Sequence, residues 1–190
     1  MATEEPSFEI VVQEGSYSVR DYPALVAAET VVQGDRNQAV GAGFRLLAGY
    51  IFGGNTRRQS IAMTAPVLQQ PSAGESIPMT APVTQSGQAG AWTIRFIMPR
   101  SYTLDTLPQP NDPHVRLTPL PPARLAVVQF SGLAHEGDIA KKTAELKTFV
   151  ATHRLIETGE PTLARYDPPW TLWFLRRNEI QIPVREIAAQ

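Results

Sequence analysis

Apolar residues at every second position predict a chain built mainly from short β-strands. The clearest case is residues 92–98, in which Trp92, Ile94, Phe96 and Met98 would all face one side. Similar patterns predict strands at residues 8–12, 16–22, 24–33, 115–120, 124–131 and 162–166. Residues 171–176 and 179–184 are expected to form a closing hairpin that turns at Arg177 and Asn178.

Two other stretches repeat their apolar residues at the spacing of an α-helix. Asp35, followed by Gln38, resembles a capping box and predicts a helix that ends near Phe52, before a pair of glycines. Its core stripe would consist of Val40, Phe44, Leu47 and Ile51. A second helix is predicted from a cap at Asp138 to about His153, with Ile139, Thr143, Leu146 and Val150 on its core side.

The first predicted helix contains three glycines, Gly41, Gly43 and Gly49, each of which costs about 1 kcal/mol relative to Ala. At 100° per residue, a second face beside the core stripe carries Gly41, Arg45, Ala48 and Phe52. Small residues on this face allow a close approach to the helix backbone by either a strand or a planar ligand. In the second case Arg45 is placed to meet an anionic group.

A heptapeptide frame occurs twice, at residues 61–67 and again sixteen residues later at 77–83. Read with period two, each copy predicts a strand whose apolar face includes a methionine, Met63 or Met79. The proline in each copy indicates a sheet edge, a bulge or a strand end. The pair is either a hairpin with two core faces, or a site where methionines and alanines line a flat apolar ligand.

A faint internal repeat relates residues 23–27 to residues 122–126, and each copy leads into a helix that starts at an aspartate. This pattern predicts an α+β fold with an antiparallel sheet, two helices and pseudo-two-fold halves at about 8–100 and 114–185. At 190 residues, the chain is expected to form a single domain with its core within 7–187. A groove between the halves would be a natural ligand site.

Composition excludes several classes of function. The chain has 43% apolar and 18% charged residues and a formal net charge of −1, which gives no electrostatic case for nucleic acid or an anionic membrane. It has no cysteine, so disulfides, thiolate catalysis and Cys-ligated metal sites are excluded. The acidic first residues lack the features of a secretory signal, and no apolar run is long enough to span a membrane. A cytoplasmic protein is expected.

Catalysis has little support from motifs. The sequence contains no GxSxG, HExxH or phosphate-binding glycine loop. Asp21 and Glu179 are carboxylates that could meet in space, but no motif places them together. An enzyme is therefore less favoured than a binding protein.

Six short motifs lie in order along the chain, at residues 17–22, 43–47, 50–55, 63–67, 166–169 and 177–179. Together they resemble the SOUL heme-binding protein family, and the doubled heptapeptide is similar to bacterial members. The resemblance implies a distorted antiparallel β-barrel of two βαβ-type repeats with two flanking helices. It also implies that heme or another tetrapyrrole binds in an apolar groove beside the first helix. The fold is similar to the effector-binding domains of some bacterial regulators, which leaves a small-molecule-binding module as an alternative.

The resemblance also suggests which residues form the site. The matching helix positions are Gly41, Phe44, Ala48 and Gly49, where a basic residue of some relatives is missing, and Arg45 is a possible substitute. Phe52, Met63 and Met79 complete the candidate set.

Histidine ligation of the iron is excluded at the position proposed in the family, because Asp21 follows the Tyr-x-x-Arg motif there. His114, His135 and His153 lie elsewhere, and any metal ligand stays open. We expect a monomeric tetrapyrrole carrier or buffer that binds non-covalently and without a strong axial ligand. A heme-modifying enzyme and an effector-type module are the alternatives.

Overall fold

The computed structural model describes residues 4–71, 90–167 and 171–187. The second copy of the heptapeptide, including Met79, lies outside the described residues. The elements are β1 (Glu9–Glu14), β2 (Tyr17–Tyr22), β3 (Leu25–Gln33), α1 (Arg36–Ile51), β4 (Val67–Pro71), β5 (Ala91–Ile97), β6 (Arg116–Leu120), β7 (Ala123–Ser131), α2 (Glu136–Thr152), β8 (Leu155–Glu157), β9 (Thr162–Arg165) and β10 (Arg177–Glu186), with a short 3-10 helix at Trp173–Leu175.

The strands form one antiparallel sheet in the order β1-β2-β7-β10-β9-β4-β5-β3-β6, and β8 pairs with the end of β10. Apart from the additional edge strand β1, the two halves of the order match about the β9–β4 pairing. On one side β7 leads into α2 and pairs with β10, and on the other side β3 leads into α1 and pairs with β5. An antiparallel, sheet-dominated α+β fold with two helices is thereby confirmed.

A closed barrel is not shown. Strands β1 and β6 end the sheet order, and no pairing joins them within the described residues. Both edges carry features that interrupt continuous pairing: the register of β1 shifts between Ile10 and Val12, and β6 contains Pro119, which has no N–H to donate. The single-domain organisation and the repeat boundaries stay predictions.

Both helices pack on the sheet through the predicted apolar stripes. Helix α1 lies against β3 and β5, with Leu47 and Ile51 fully buried beside Ile94. Helix α2 lies against β7, β8 and β10, with Leu146 and Val150 buried. Within the described residues, neither helix is long and apolar enough to cross a bilayer.

The predicted start and end of α1 are confirmed. The Asp35 carboxylate accepts hydrogen bonds from the backbone N–H groups of Asn37 and Gln38, both at 2.9 Å. At the other end, Gly53 has φ +109°, and the N–H of Gly54 donates to the carbonyl of Gly49 at 2.8 Å.

The start of α2 differs from the prediction. His135 is the N-cap, and the Asp138 carboxylate instead accepts a hydrogen bond from the His135 backbone N–H at 3.3 Å. Asp138 is thus the third helical residue of a capping box, because its side chain reaches back toward the cap.

Two predicted strands are wrong. In the first heptapeptide the strand begins only at Val67, because Thr64 turns inward and donates its hydroxyl to the carbonyl of Ile97, which breaks the alternation. The closing hairpin is also absent: residues 173–175 form a 3-10 helix, and β10 pairs with β7 and β9. Strands β7 and β9 supply the pairing that residues 171–176 were expected to supply.

Candidate functional site

The outer face of α1, defined by Gly41, Arg45, Ala48, Gly49 and Phe52, is the surface on which most predicted site residues meet. Four of the five are exposed, and Ala48 is half-buried. Phe52 is 66% exposed, the highest fraction among the exposed large hydrophobic side chains of the described residues.

The three glycines of α1 have different surroundings. A Cβ on Gly43 would lie only 2.5 Å from Cγ1 of Ile94, so this glycine lets the helix approach β5 closely. A Cβ on Gly41 or Gly49 would meet no atom within 4 Å in the described part of the chain beyond the helix's own backbone and the adjoining residues. The strand therefore packs at Gly43, whereas no described strand covers the outer face of α1.

Phe44 and Met63 turn toward the core beneath this surface. The Phe44 ring is half-buried and meets the ring of Phe96 edge-on, at 5.2 Å between centroids and 64° between planes. Met63 is half-buried and packs against the same apolar cluster. Both side chains border the interior of the α1 half rather than the outer face.

The chain after α1 is held firmly against the end of the helix. The N–H of Ile61 donates to the carbonyl of Ile51 at 2.7 Å, and Phe52 forms an isolated bridge with Ser60. Buried Asn55 organises the intervening turn, because its amide donates to the carbonyls of Tyr50 and Gln59 at 3.1 and 2.7 Å. The position of exposed Phe52 is thus fixed by its neighbours.

No histidine lies on α1. His114 is in a loop beside Asp112 at 2.9 Å, His135 precedes α2, and His153 follows it and contacts Glu14 at 3.0 Å. Among the described residues, no group of three or more His, Cys, Asp or Glu side chains is arranged to hold a metal ion.

Tyr50 lies on the core side of α1 and is already engaged. Its hydroxyl donates to the carbonyl of Pro108 at 2.9 Å, and burial, with the nearby Tyr102, raises its pKa to about 12. A phenol held in this way is poorly suited to ligate iron as a phenolate.

Asp21, at the family's proposed ligand position, has a structural partner. Its two carboxylate oxygens accept hydrogen bonds from Arg124 at 2.7 and 2.8 Å, and these bonds hold the pKa of Asp21 below its usual range. Glu179 has separate partners, Arg20 and Tyr166, so Asp21 and Glu179 do not form a carboxylate pair.

Sequence reasoning missed a polar cluster on the sheet face opposite the helices. Glu179 is 2% exposed. Its carboxylate accepts hydrogen bonds from the Arg20 guanidinium at 3.0 Å, from the Tyr166 hydroxyl at 2.7 Å and from the Gln181 amide at 3.0 Å. Burial, more than the adjacent Glu179 charge, raises the pKa of Tyr166. The alternation of Glu179 and Gln181 with apolar Ile180 was the sequence signal for this polar face.

A cavity of about 320 Å³, here called the sheet groove, adjoins this cluster. Its lining is mainly apolar and comes from both halves of the sheet, including Leu25, Leu68, Ile97, Leu120, Leu125 and Tyr166. A second cavity of about 470 Å³ lies beside the start of α2, between Phe130, Leu133, His135, Lys142 and Trp173.

The family of the chain follows from its sequence. The profile of the SOUL heme-binding protein family matches residues 3–183. The chain belongs to the SOUL heme-binding protein family. The motif-based resemblance is therefore confirmed, and heme binding is supported at the level of the family. No curated protein matches the chain.

Solved structures with the same fold come from proteins of distant sequence. The C-terminal domain of EcmrR has a TM-score of 0.66 at 11% identity, covering 90% of this SOUL-family chain and 98% of the other. A hydrolase from Listeria innocua has a TM-score of 0.60 at 15% identity, covering 92% and 94%. In an EcmrR–DNA complex the chain covers 57% of EcmrR, at a TM-score of 0.64 and 11% identity. At these identities the likeness shows the fold alone.

Proposed function

We propose that this SOUL-family protein is a tetrapyrrole carrier or buffer that binds heme non-covalently on the outer face of α1. The observation that carries the proposal is that no described strand or loop covers this surface, where a 66% exposed phenylalanine lies beside open glycines. Fully burying an aromatic side chain of this size contributes about 1.5–3 kcal/mol, so covering Phe52 offers a driving force of about 1–2 kcal/mol.

The remaining residues of the face suit a flat ligand with carboxylates. Gly41 and Gly49 leave the helix backbone open to a ring, since, apart from the helix's own backbone and the adjoining residues, no atom of the described chain lies within 4 Å of their Cβ positions. Arg45 is exposed on the same face and carries no ion pair among the described residues, so it is free to meet a carboxylate. An exposed charge pair contributes only about 0–1 kcal/mol, so apolar contact with the ring is expected to contribute more to the affinity than Arg45 does.

The surface fits the macrocycle better than it fits the iron. Heme, when bound, supplies a redox-active iron, and the outer face of α1 offers it neither imidazole nor thiolate. The role of these residues is to bind and orient the ring. We propose further that the protein works as a single-domain monomer in the cytoplasm and does not bind nucleic acid, in keeping with its net charge of −1.

A hemin titration followed by absorbance tests this function. We expect a shifted Soret band and a titration curve that breaks near one heme per chain. The dissociation constant should be micromolar or tighter, which corresponds to a binding free energy of about −8 kcal/mol or more negative. Spectra identical to those of hemin mixed with an unrelated protein would contradict the proposal.

A second candidate, an effector-type small-molecule-binding module, is favoured by the sheet groove, an apolar cavity of about 320 Å³ with a few convergent polar groups. Leu125→Trp fills this groove from β7 without touching α1. Loss of hemin binding in Leu125→Trp, with binding retained in Gly41→Leu, would place the ligand in the sheet groove instead.

A further inference from the structure

The two halves of the sheet meet where β9 pairs with β4, a junction called the seam here. On the face of the sheet that carries the helices, two arginines from different elements lie at the seam. Arg165 ends β9 and is paired with Val67 on β4 and with Asn178 on β10. Directly paired residues of antiparallel strands share a face, and Val67 packs against the apolar cluster under α1. The Arg165 side chain therefore emerges on the helix side of the sheet, at the junction of the halves.

Arg36 approaches the same seam from the first position of α1. Its carbonyl accepts a hydrogen bond from the Gln69 side chain at 2.8 Å, which ties the helix start to β4 two residues beyond Val67. Its guanidinium lies 4.3 Å from the ring centroid of Trp92, on the neighbouring strand β5. Both arginines are half-buried.

Neither arginine has an acidic partner within the residues that the structure describes. Ion pairs do occupy Arg20, Arg95, Arg100, Arg116, Arg124 and Arg177. The Nε atoms of Arg36, Arg165 and Arg177 are buried and lack a hydrogen-bond partner among the described residues, and of these three arginines only Arg177 is held in an ion pair there. Glu136, at the start of α2, attracts Arg36 from a distance but makes no ion pair with it. A polar N–H group that is buried without a hydrogen-bond partner costs free energy, so the two half-buried guanidinium groups favour an added acceptor.

Other positive charges also act on Arg165. Burial, and then the neighbouring charges of Arg36 and Arg176, lower the pKa of Arg165. These like charges repel one another when no anion is bound, and a bound anion would offset the repulsion.

We propose that Arg36 and Arg165 form a binding site for an anionic group, a carboxylate or phosphate of a small molecule, in the seam between the two halves. Guanidinium groups present planar pairs of N–H donors that match both kinds of oxyanion. The site is separate from the outer face of α1, and its occupancy does not depend on heme.

Thermal unfolding with pyrophosphate or citrate tests the site, against NaCl at matched ionic strength and without hemin. The wild-type protein should gain melting temperature with at least one of the two anions beyond the gain in NaCl. Arg165→Gln and Arg36→Gln should each weaken the apparent affinity about tenfold or more, because a charge-assisted hydrogen bond is lost. Arg185→Gln, an exposed arginine on β10, is the matched control and should respond as the wild type does.

The stability of the variants without anion separates a binding role from a structural one. Removing one of two repelling charges should leave the melting temperature of Arg165→Gln equal to or above that of the wild type. A response to both anions that equals the response to NaCl would overturn the proposal, as would an equal gain in wild type and both seam variants. Arg36→Gln decides the matter if Arg165→Gln fails to fold, because Arg36 lies at a helix end.

Discussion

Substituting the glycines of α1 one at a time tests whether the helix has one packed face and one open face. At Gly43, an alanine Cβ would lie 2.5 Å from Cγ1 and 2.9 Å from Cβ of Ile94, closer than real Cβ contacts. Overpacking of this kind costs about 1–3 kcal/mol, against a gain in helix propensity of about 1 kcal/mol. We expect Gly43→Ala to lower the free energy of unfolding by up to about 2 kcal/mol.

At Gly41 and Gly49 only the propensity gain applies, because a Cβ there meets nothing within 4 Å. Gly41→Ala and Gly49→Ala should each raise the free energy of unfolding by up to about 1 kcal/mol. Urea unfolding measures all three variants, and a change of 1 kcal/mol corresponds to about 2–4 °C in melting temperature for a chain of this length.

A double-mutant cycle locates the cause of the destabilisation. Ile94→Ala removes the atom nearest to Gly43, so Gly43→Ala should be less harmful in that background. If Gly43→Ala stabilises as much as Gly41→Ala, the close approach of α1 to β5 is incorrect and the assignment of faces fails with it.

Two further predictions concern charged pairs. Arg20→Ala should lower the free energy of unfolding by about 3–5 kcal/mol, because it leaves Glu179 buried without its cation. Arg100→Ala removes an exposed pair and should change the free energy of unfolding by less than about 1 kcal/mol. Equal effects of the two variants in chemical denaturation would contradict this prediction. Since the folded pKa of Asp21 is depressed by Arg124, its contribution is present above the unfolded value of about 3.9 and is lost as the pH falls through the folded pKa. Asp21→Asn should therefore weaken the dependence of the free energy of unfolding on pH below about 4. The same dependence in Asp21→Asn and the wild type over this range would refute the prediction.

The elements that the sequence predicted well are those whose signals are local. Helix α1 begins with Asp35 capping its own first turn and ends at Gly53, so both ends are determined within a few residues. The family motifs likewise predicted heme binding at family level and a set of helix residues. Of these, Gly41, Arg45, Ala48 and Phe52 share one surface, whereas Phe44 faces the core.

The features that the sequence did not predict depend on distant partners. Arg20 and Glu179 are 159 residues apart, and no local pattern indicates that they meet beside the sheet groove. Strand β10 pairs with β7, with β9 and, at its end, with β8, and none of these is formed by residues 171–176, so the hairpin predicted there is wrong. Thr64 is a similar case, because its inward turn depends on the carbonyl of Ile97.

The most direct test of the proposed heme surface compares two glycines in equivalent open settings. Gly41 lies on the outer face of α1, and Gly137 lies in α2; a Cβ at either position meets nothing within 4 Å. Gly41→Leu and Gly137→Leu should both fold with unchanged or slightly higher stability, since leucine is a good helix former.

Hemin affinity by absorbance titration then separates the two variants. If heme lies on the outer face of α1, Gly41→Leu blocks the approach of the ring and loses binding at least tenfold, whereas Gly137→Leu binds as the wild type does. Wild-type affinity in a folded Gly41→Leu protein would contradict the proposed surface.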